Sequence, residues 1–168
     1  MVAKALFLDR DGVVNVDTGY VHRVEDFELM PGIVELCREA RKKGYMVIVV
    51  TNQSGIGRGM FSRDDFTLLM EHVKSLFRAG GADIADVFFC PAVDDGHPDR
   101  KPNPGLFLKA ASAYGLDMAA CVSVGDRERD IQAAASAGVG RNFLFSAEDV
   151  PTRATARVTA LEDVAAWL

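Results

Sequence analysis

The chain lacks any apolar run near the roughly 18–20 residues that cross a bilayer, and its N-terminus lacks the pattern of a secretory leader. It has no surplus of basic residues: 19 Lys and Arg face 24 Asp and Glu, for a formal net charge of −5. That balance argues against broad nucleic-acid or membrane-surface binding. Cysteine is scarce. Cys37, Cys90 and Cys121 form an odd, widely spaced set, which suits reduced buried thiols and not a disulfide framework. Repeats, linkers and low-complexity segments are absent. The exclusions leave a cytoplasmic protein with no nucleic-acid or membrane partner, and its 168 residues predict one domain over 1–168 and a monomer.

What is present is alternation. Strand-like apolar runs at Ala5–Leu8, Tyr45–Val50, Asp86–Cys90, Cys121–Val124 and Asn142–Phe145 are separated by helical patterns. Pro31 marks a helix start that Gly44 ends. Ser62 and Asp65 form a capping box flanked by Phe61 and Phe66 as a hydrophobic staple, for a helix reaching about Arg78. Asn103-Pro104 opens a helix that Gly115 closes, Ile131–Ala137 is helical, and Thr159 with Glu162 caps a short last helix. Such alternation predicts a doubly wound, Rossmann-like parallel α/β sheet with helices on both faces. No inter-motif stretch is long enough for an inserted cap domain.

Ligands of open parallel sheets sit beyond the carboxyl ends of the strands, and the chemically loaded residues of this chain all fall there. Asp9 and Asp11 follow the first strand with i, i+2 spacing, which would turn both carboxylates toward one spot. Carboxylates so close repel one another unless a cation lies between them. Thr51 and Asn52 follow the second strand, Arg100 and Lys101 come after the third, and Asp126 and Asp130 after the fourth. Carboxylates, a hydroxyl and a lysine on one crevice match phosphoryl transfer assisted by Mg²⁺. Asp9, nearer the rigid strand, is the candidate nucleophile, and Asp11 the candidate general acid and base. Lys101 would meet a phosphate oxygen as a point charge, and Thr51 with the amides of the Asn52–Gly55 turn would hydrogen-bond the rest. Asp130 reads either as a first-turn acid favoured by the helix dipole or as a partner of Lys101 or of a metal-bound water. Arg10 should point away from its two acidic neighbours into a structural ion pair.

Asp9-x-Asp11-Gly12, then Thr51, Lys101 and Gly125-Asp126-x-x-x-Asp130, resemble in order the four motifs of the haloacid dehalogenase superfamily of phosphatases. The resemblance spans nearly the whole chain. It implies Asp9 as nucleophile, Asp11 as acid and base, and Mg²⁺ held by Asp9, the backbone carbonyl of Asp11, and Asp126. Between the motifs, Asp9–Asn15, Gly19-Tyr20-Val21-His22 and Thr51–Gly59 are similar to the heptose 1,7-bisphosphate 7-phosphatases. That likeness implies a sugar bisphosphate substrate contacted by Asp17, Thr18, Gly19 and Tyr20, by Asn52, Gln53 and Ser54, and by Arg100 and Arg127, with Arg58 on the glycine-rich loop a further candidate. An arginine beside Lys101 suits a second dianion.

Many members of that group carry four zinc ligands after the third strand. Here only Cys90 and His97 remain, too few for a closed structural site, so no structural zinc is expected and the 91–100 loop is expected to rest on its prolines and packing. Histidinol-phosphate phosphatases share Asp-Arg-Asp-Gly and Thr-Asn-Gln and form the enzymatic alternative. A phospho-accepting receiver domain is the alternative from another class, although receivers place their acidic pair and phosphoacceptor on different strands.

Overall fold

The computed structural model describes residues 2–168. Its six strands, β1 (Ala5–Leu8), β2 (Met46–Asn52), β3 (Asp86–Cys90), β4 (Val122–Gly125), β5 (Arg141–Phe145) and β6 (Ala156–Val158), form one sheet in the order β3-β2-β1-β4-β5-β6. Every pairing is parallel. The register sets Leu6 opposite Val47 on one side and Val122 on the other.

The two-residue period of the strands divides the interior into two cores. Leu6, Leu8, Val47, Val49, Val122 and Val124 face α1 (Ile33–Lys42) and α3 (Arg63–Ala79), joined by the C-terminal 3₁₀ helix Leu161–Trp167. Ala5, Phe7, Ile48 and Val50 face α4 (Gly105–Tyr114) and α5 (Glu128–Ser136). Burial on both faces is why the strands read as nearly continuous apolar runs. Phe7 and Phe107 meet edge to face at 5.0 Å across the second core.

α3 starts where the capping box places it. Asp65 donates its backbone N–H to Ser62 Oγ at 3.0 Å, and the Ser62 N–H bonds Asp65 Oδ2 at 2.9 Å. Ser62→Ala should therefore lower stability by about 1 kcal/mol in urea unfolding with turnover unaffected.

Four local readings change. α1 begins at Ile33, two residues after Pro31, because Gly32 in between takes φ +87° with the Glu162 carboxylate packed over it. The last helix is 3₁₀ and begins after Ala160 with no side-chain cap, so Thr159 does not play the capping part. β6 has only three residues and no alternation long enough to register in the sequence; the edge of β5 is what makes it a strand. A short helix α2 (Ser54–Gly57) also stands where a turn was expected.

Candidate active site

Asp9 leaves β1 on a rigid stem, its backbone N–H still bonded to the Val124 carbonyl at 3.1 Å. Asp126 leaves the adjacent β4 in the same direction, and α5 returns Asp130 to the same place. One ligand oxygen from each of Asp9, Asp126 and Asp130 falls within 4.8 Å of the others. Asp126 comes this close because residue 12 is glycine: a Cβ there would lie 2.1 Å from Asp126 Oδ2, on a backbone with φ +93°.

Lys101 lies against this group, 2 % exposed. Its Nζ is 2.9 Å from Asp9 Oδ1, 2.8 Å from Asp130 Oδ1 and 2.8 Å from the Val50 carbonyl. All three ammonium donors are thus engaged. The sequence expects Lys101 to meet a phosphate oxygen; the structure places its Nζ on Asp9, Asp130 and the Val50 carbonyl. Asp130 bonds Lys101, one of its two sequence readings, and its Oδ2 accepts the Arg127 N–H at 3.1 Å. Burial holds the Asp9 carboxyl well above the ordinary range, with Asp130 and Asp126 adding to it against the pull of Lys101. Burial and Asp130 likewise push Asp126 up to about 6. Burial opposes the charge on Lys101, but Asp130 and Asp9 outweigh it and its proton is held more tightly than usual.

Three carboxylates compensated by one ammonium, with two of them reluctant to ionise, form an electron-rich oxygen cage that a divalent cation would relieve. Hard oxygen donors of this kind fit Mg²⁺.

Asp11 differs from the expected picture. Both acids line the same cleft, but the strand period stops at Leu8, Arg10 lies in a turn, and the Asp11 carboxylate is not among the three clustered ones. It accepts instead from Arg10 Nη2 (2.7 Å) and Asn15 Nδ2 (3.1 Å) at Oδ1, and from Gln53 Nε2 (3.0 Å) at Oδ2. Arg10 is paired, as expected, though with its neighbour. A metal contact through the Asp11 backbone carbonyl does not call on this side chain.

The cleft holds about 330 Å³. Asp17, Gly19 and Tyr20 wall one side, Asn52, Gln53, Ser54 and Arg58 another, and Arg100 and Arg127 the rim. Two sequence candidates lie elsewhere. Thr18 is exposed outside the cleft. Thr51 is 1 % exposed, donates to the Asn52 carbonyl (3.2 Å) and accepts from Gln53 Nε2 (3.0 Å), so it supports Gln53 from behind. Arg129 and Gly55, the latter in the Asn52–Gly55 turn named above, also line the cleft. Arg129 Nε is buried without a hydrogen-bond partner among the described residues.

The 91–104 segment is bound by a polar network as well as by prolines. Asn52 fastens Lys101 with both ends of its amide, accepting from the Lys101 N–H at 3.0 Å and donating to the Lys101 carbonyl at 3.1 Å. Asn103 Nδ2 donates to the carbonyls of Asp95 and His97. Arg100 donates to Asp95 Oδ1 (2.9 Å) and the Ala92 carbonyl (3.1 Å), which ties much of its guanidinium to the loop itself. His97 Nδ1 accepts the Asp99 N–H at 3.1 Å and sits 3.8 Å from Cys90 Sγ.

A family model for haloacid dehalogenase-like hydrolases matches residues 3–138. The chain belongs to this family. The hydrolase is 46% identical over 183 aligned positions to the D-glycero-alpha-D-manno-heptose-1,7-bisphosphate 7-phosphatase of Burkholderia mallei, covering 100% of this chain and 95% of that protein. It is 43% identical to the D-glycero-beta-D-manno-heptose-1,7-bisphosphate 7-phosphatase of Yersinia pestis, over 83% of this chain and 79% of that one. Among solved structures, the D,D-heptose 1,7-bisphosphate phosphatase of B. bronchiseptica, complexed with magnesium and phosphate, superposes with a TM-score of 0.86 at 30% identity, over 99% of this chain and 97% of that chain. Among the described residues, no helix of the hydrolase is long and apolar enough to cross a membrane.

Proposed function

We propose that this hydrolase is a Mg²⁺-dependent phosphatase that removes the 7-phosphate of D-glycero-D-manno-heptose 1,7-bisphosphate through an aspartyl-phosphate. The observation that carries the reading is one carboxylate, Asp9, fixed by Lys101 inside an acidic group at a strand end, beside a second carboxylate held apart from that group. A phosphatase of this branch is also what the named relatives support.

Lys101 occupies Asp9 Oδ1, so Oδ2 is the oxygen free to attack phosphorus. The new P–O bond forms as the bond to the leaving sugar oxygen breaks, and Asp11 gives that oxygen a proton, releasing the alcohol. Water then attacks the same phosphorus, Asp11 takes a proton from it, and the Asp9 carboxylate returns as inorganic phosphate leaves. Bound Mg²⁺, held by Asp9, Asp126 and the Asp11 carbonyl, supplies the charge neutralisation that lets a dianion approach these acids. Arg58, Arg100, Arg127 and Arg129 line the cleft and supply guanidinium donors for a second phosphate. Residues 1–168 act as one domain and as a monomer, in the cytoplasm.

Steady-state hydrolysis of both anomers of the bisphosphate and of histidinol phosphate tests the substrate. The sugar bisphosphates should be turned over with a kcat/KM at least about tenfold higher, with product analysis showing loss from C7. Preference for histidinol phosphate would refute the substrate assignment. Chelation of Mg²⁺ should abolish turnover, and its return should restore it.

Metal and proton compete for the acidic group. Because the folded, metal-free protein keeps Asp126 protonated up to about pH 6 while the unfolded chain ionises near pH 4, the folded state binds the extra proton between those values. The contribution of Asp126 to metal-free stability then falls as pH rises from 4 to 6. Added Mg²⁺ should raise Tm more at pH 7.5 than at pH 5, and an equal shift at both would sink this expectation.

The 91–104 loop is proposed to be held without zinc, by the Asn52, Asn103 and Arg100 bonds described above. Elemental analysis of protein purified without chelator should show substoichiometric zinc, and one tightly held zinc per chain would refute it.

A further inference from the structure

Arg10 is the largest of the fully buried side chains in the molecule, 0 % exposed, and the reaction described above leaves it without a task. A buried charge is costly unless something specific holds it. Two groups do. Nη2 lies 2.7 Å from Asp11 Oδ1, with Nε at 3.3 Å from the same oxygen, and Nη2 also donates to the Val21 carbonyl. The guanidinium carbon stands 5.7 Å from the Phe66 ring centre, which fixes its plane from α3. Nη1 has no partner.

The consequence for Asp11 follows from counting lone pairs. A carboxylate oxygen accepts about two hydrogen bonds. At Oδ1 both places are filled by Arg10 and Asn15. Oδ2 has one donor, Gln53, itself a wall of the cleft. Oδ2 is therefore the Asp11 oxygen with a lone pair still open. The Val21 bond adds a second constraint, since Val21 follows Asp17, Gly19 and Tyr20 directly on the loop that walls the cleft.

We propose that Arg10 is a positioning residue for proton transfer: it holds Asp11 Oδ1, presents Oδ2 to the leaving oxygen, and ties that carboxylate to the 17–22 loop. This rests on the reading of Asp11 as the group that protonates the leaving alcohol. A merely structural arginine would lower every reaction of the site alike. A positioning arginine acts only to the extent that the leaving group needs its proton. An alkoxide leaving group needs it fully, whereas a nitrophenolate hardly needs it.

The test measures kcat/KM, which reports the first phosphoryl transfer, for alkyl and substituted aryl phosphates spanning leaving-group pKa, at one pH with saturating Mg²⁺. Arg10→Met, Arg10→Lys and Asp11→Asn are compared with the wild type. Arg10→Met should lose on the order of a hundredfold against alkyl phosphates and about tenfold less than that against 4-nitrophenyl phosphate. Arg10→Lys keeps the charge but loses the planar guanidinium that places both Nη2 and Nε on Asp11 Oδ1, and should fall between, with the same steepened leaving-group dependence. If Arg10→Met does not fold, the lysine variant carries the comparison. Equal losses across the series in the folded Arg10 variants, with a steepened dependence for Asp11→Asn, would overturn the proposal for Arg10 alone. A flat response of Asp11→Asn would overturn the assignment of Asp11 and with it the role given to Arg10.

Discussion

Asp9→Asn gives a folded protein whose phosphatase turnover falls by at least a factor on the order of 10³, with the loss in kcat. The amide keeps the volume of the carboxylate and can still accept from Lys101 Nζ, so the 2.9 Å contact has a replacement and the β1 stem is undisturbed. What disappears is the anionic oxygen proposed to attack phosphorus. Circular dichroism and thermal unfolding of the metal-free variant should match or exceed the wild type, since a carboxyl that burial and Asp130 already make reluctant to ionise has been replaced by a neutral group. Rapid-quench experiments should find no acid-stable phosphoenzyme. Retention of more than about a tenth of wild-type turnover would move the attack to water and remove the covalent step.

Lys101→Met has the second large effect, and it reaches stability as well as rate. The ammonium is the single cation bridging two carboxylates of the acidic group, with its third donor on the Val50 carbonyl. Removing one partner of a buried pair while leaving the others behind costs about 3–5 kcal/mol. Asp9 and Asp130 would then face one another and Asp126 with no ammonium between them. The loss should be largest near pH 7.5 without metal, and should shrink toward pH 5 as the acids take up protons. Mg²⁺ should recover part of the stability but little of the activity, because Asp9 loses the bond that selects its attacking oxygen. Urea unfolding at the two pH values, with and without Mg²⁺, separates these effects. A variant as stable as wild type at pH 7.5 in chelator would show that Lys101 does not balance the acids.

The sequence was most informative where a residue's place is set by its own neighbours. β1 to β5 are legible because strands buried on both faces need continuous apolar runs, and α3 because Ser62 and Asp65 satisfy each other's backbone N–H locally. The positions of Asp9 and Asp126 just past strand ends followed from the same runs, whereas β2 runs on through Thr51 to Asn52. Legibility declined where a neighbour distant in sequence decides. β6 is a strand because β5 offers an edge. α1 starts late because Glu162, far along the chain, packs over Gly32.

Within the site the same division holds. The i, i+2 spacing of Asp9 and Asp11 suggested one shared spot, and the turn at Arg10 separates their carboxylates into two jobs. Lys101 as a phosphate ligand was reasonable from charge alone, since its three bonds to Asp9, Asp130 and Val50 join segments about 30 to 90 residues away. Thr51 and Gln53 exchanged parts: the threonine hydroxyl lies behind, and the glutamine amide reaches Asp11.

The order of strands and acids along the chain thus determined by itself the sheet, the edge of the sheet that carries chemistry, and the residue types available there, because each depends on short-range pattern and on strand direction. Only the folded molecule decided which acid keeps company with which, which oxygen of each is left free, and which cation holds it, because those depend on side chains from different elements competing for the same lone pairs in a buried space.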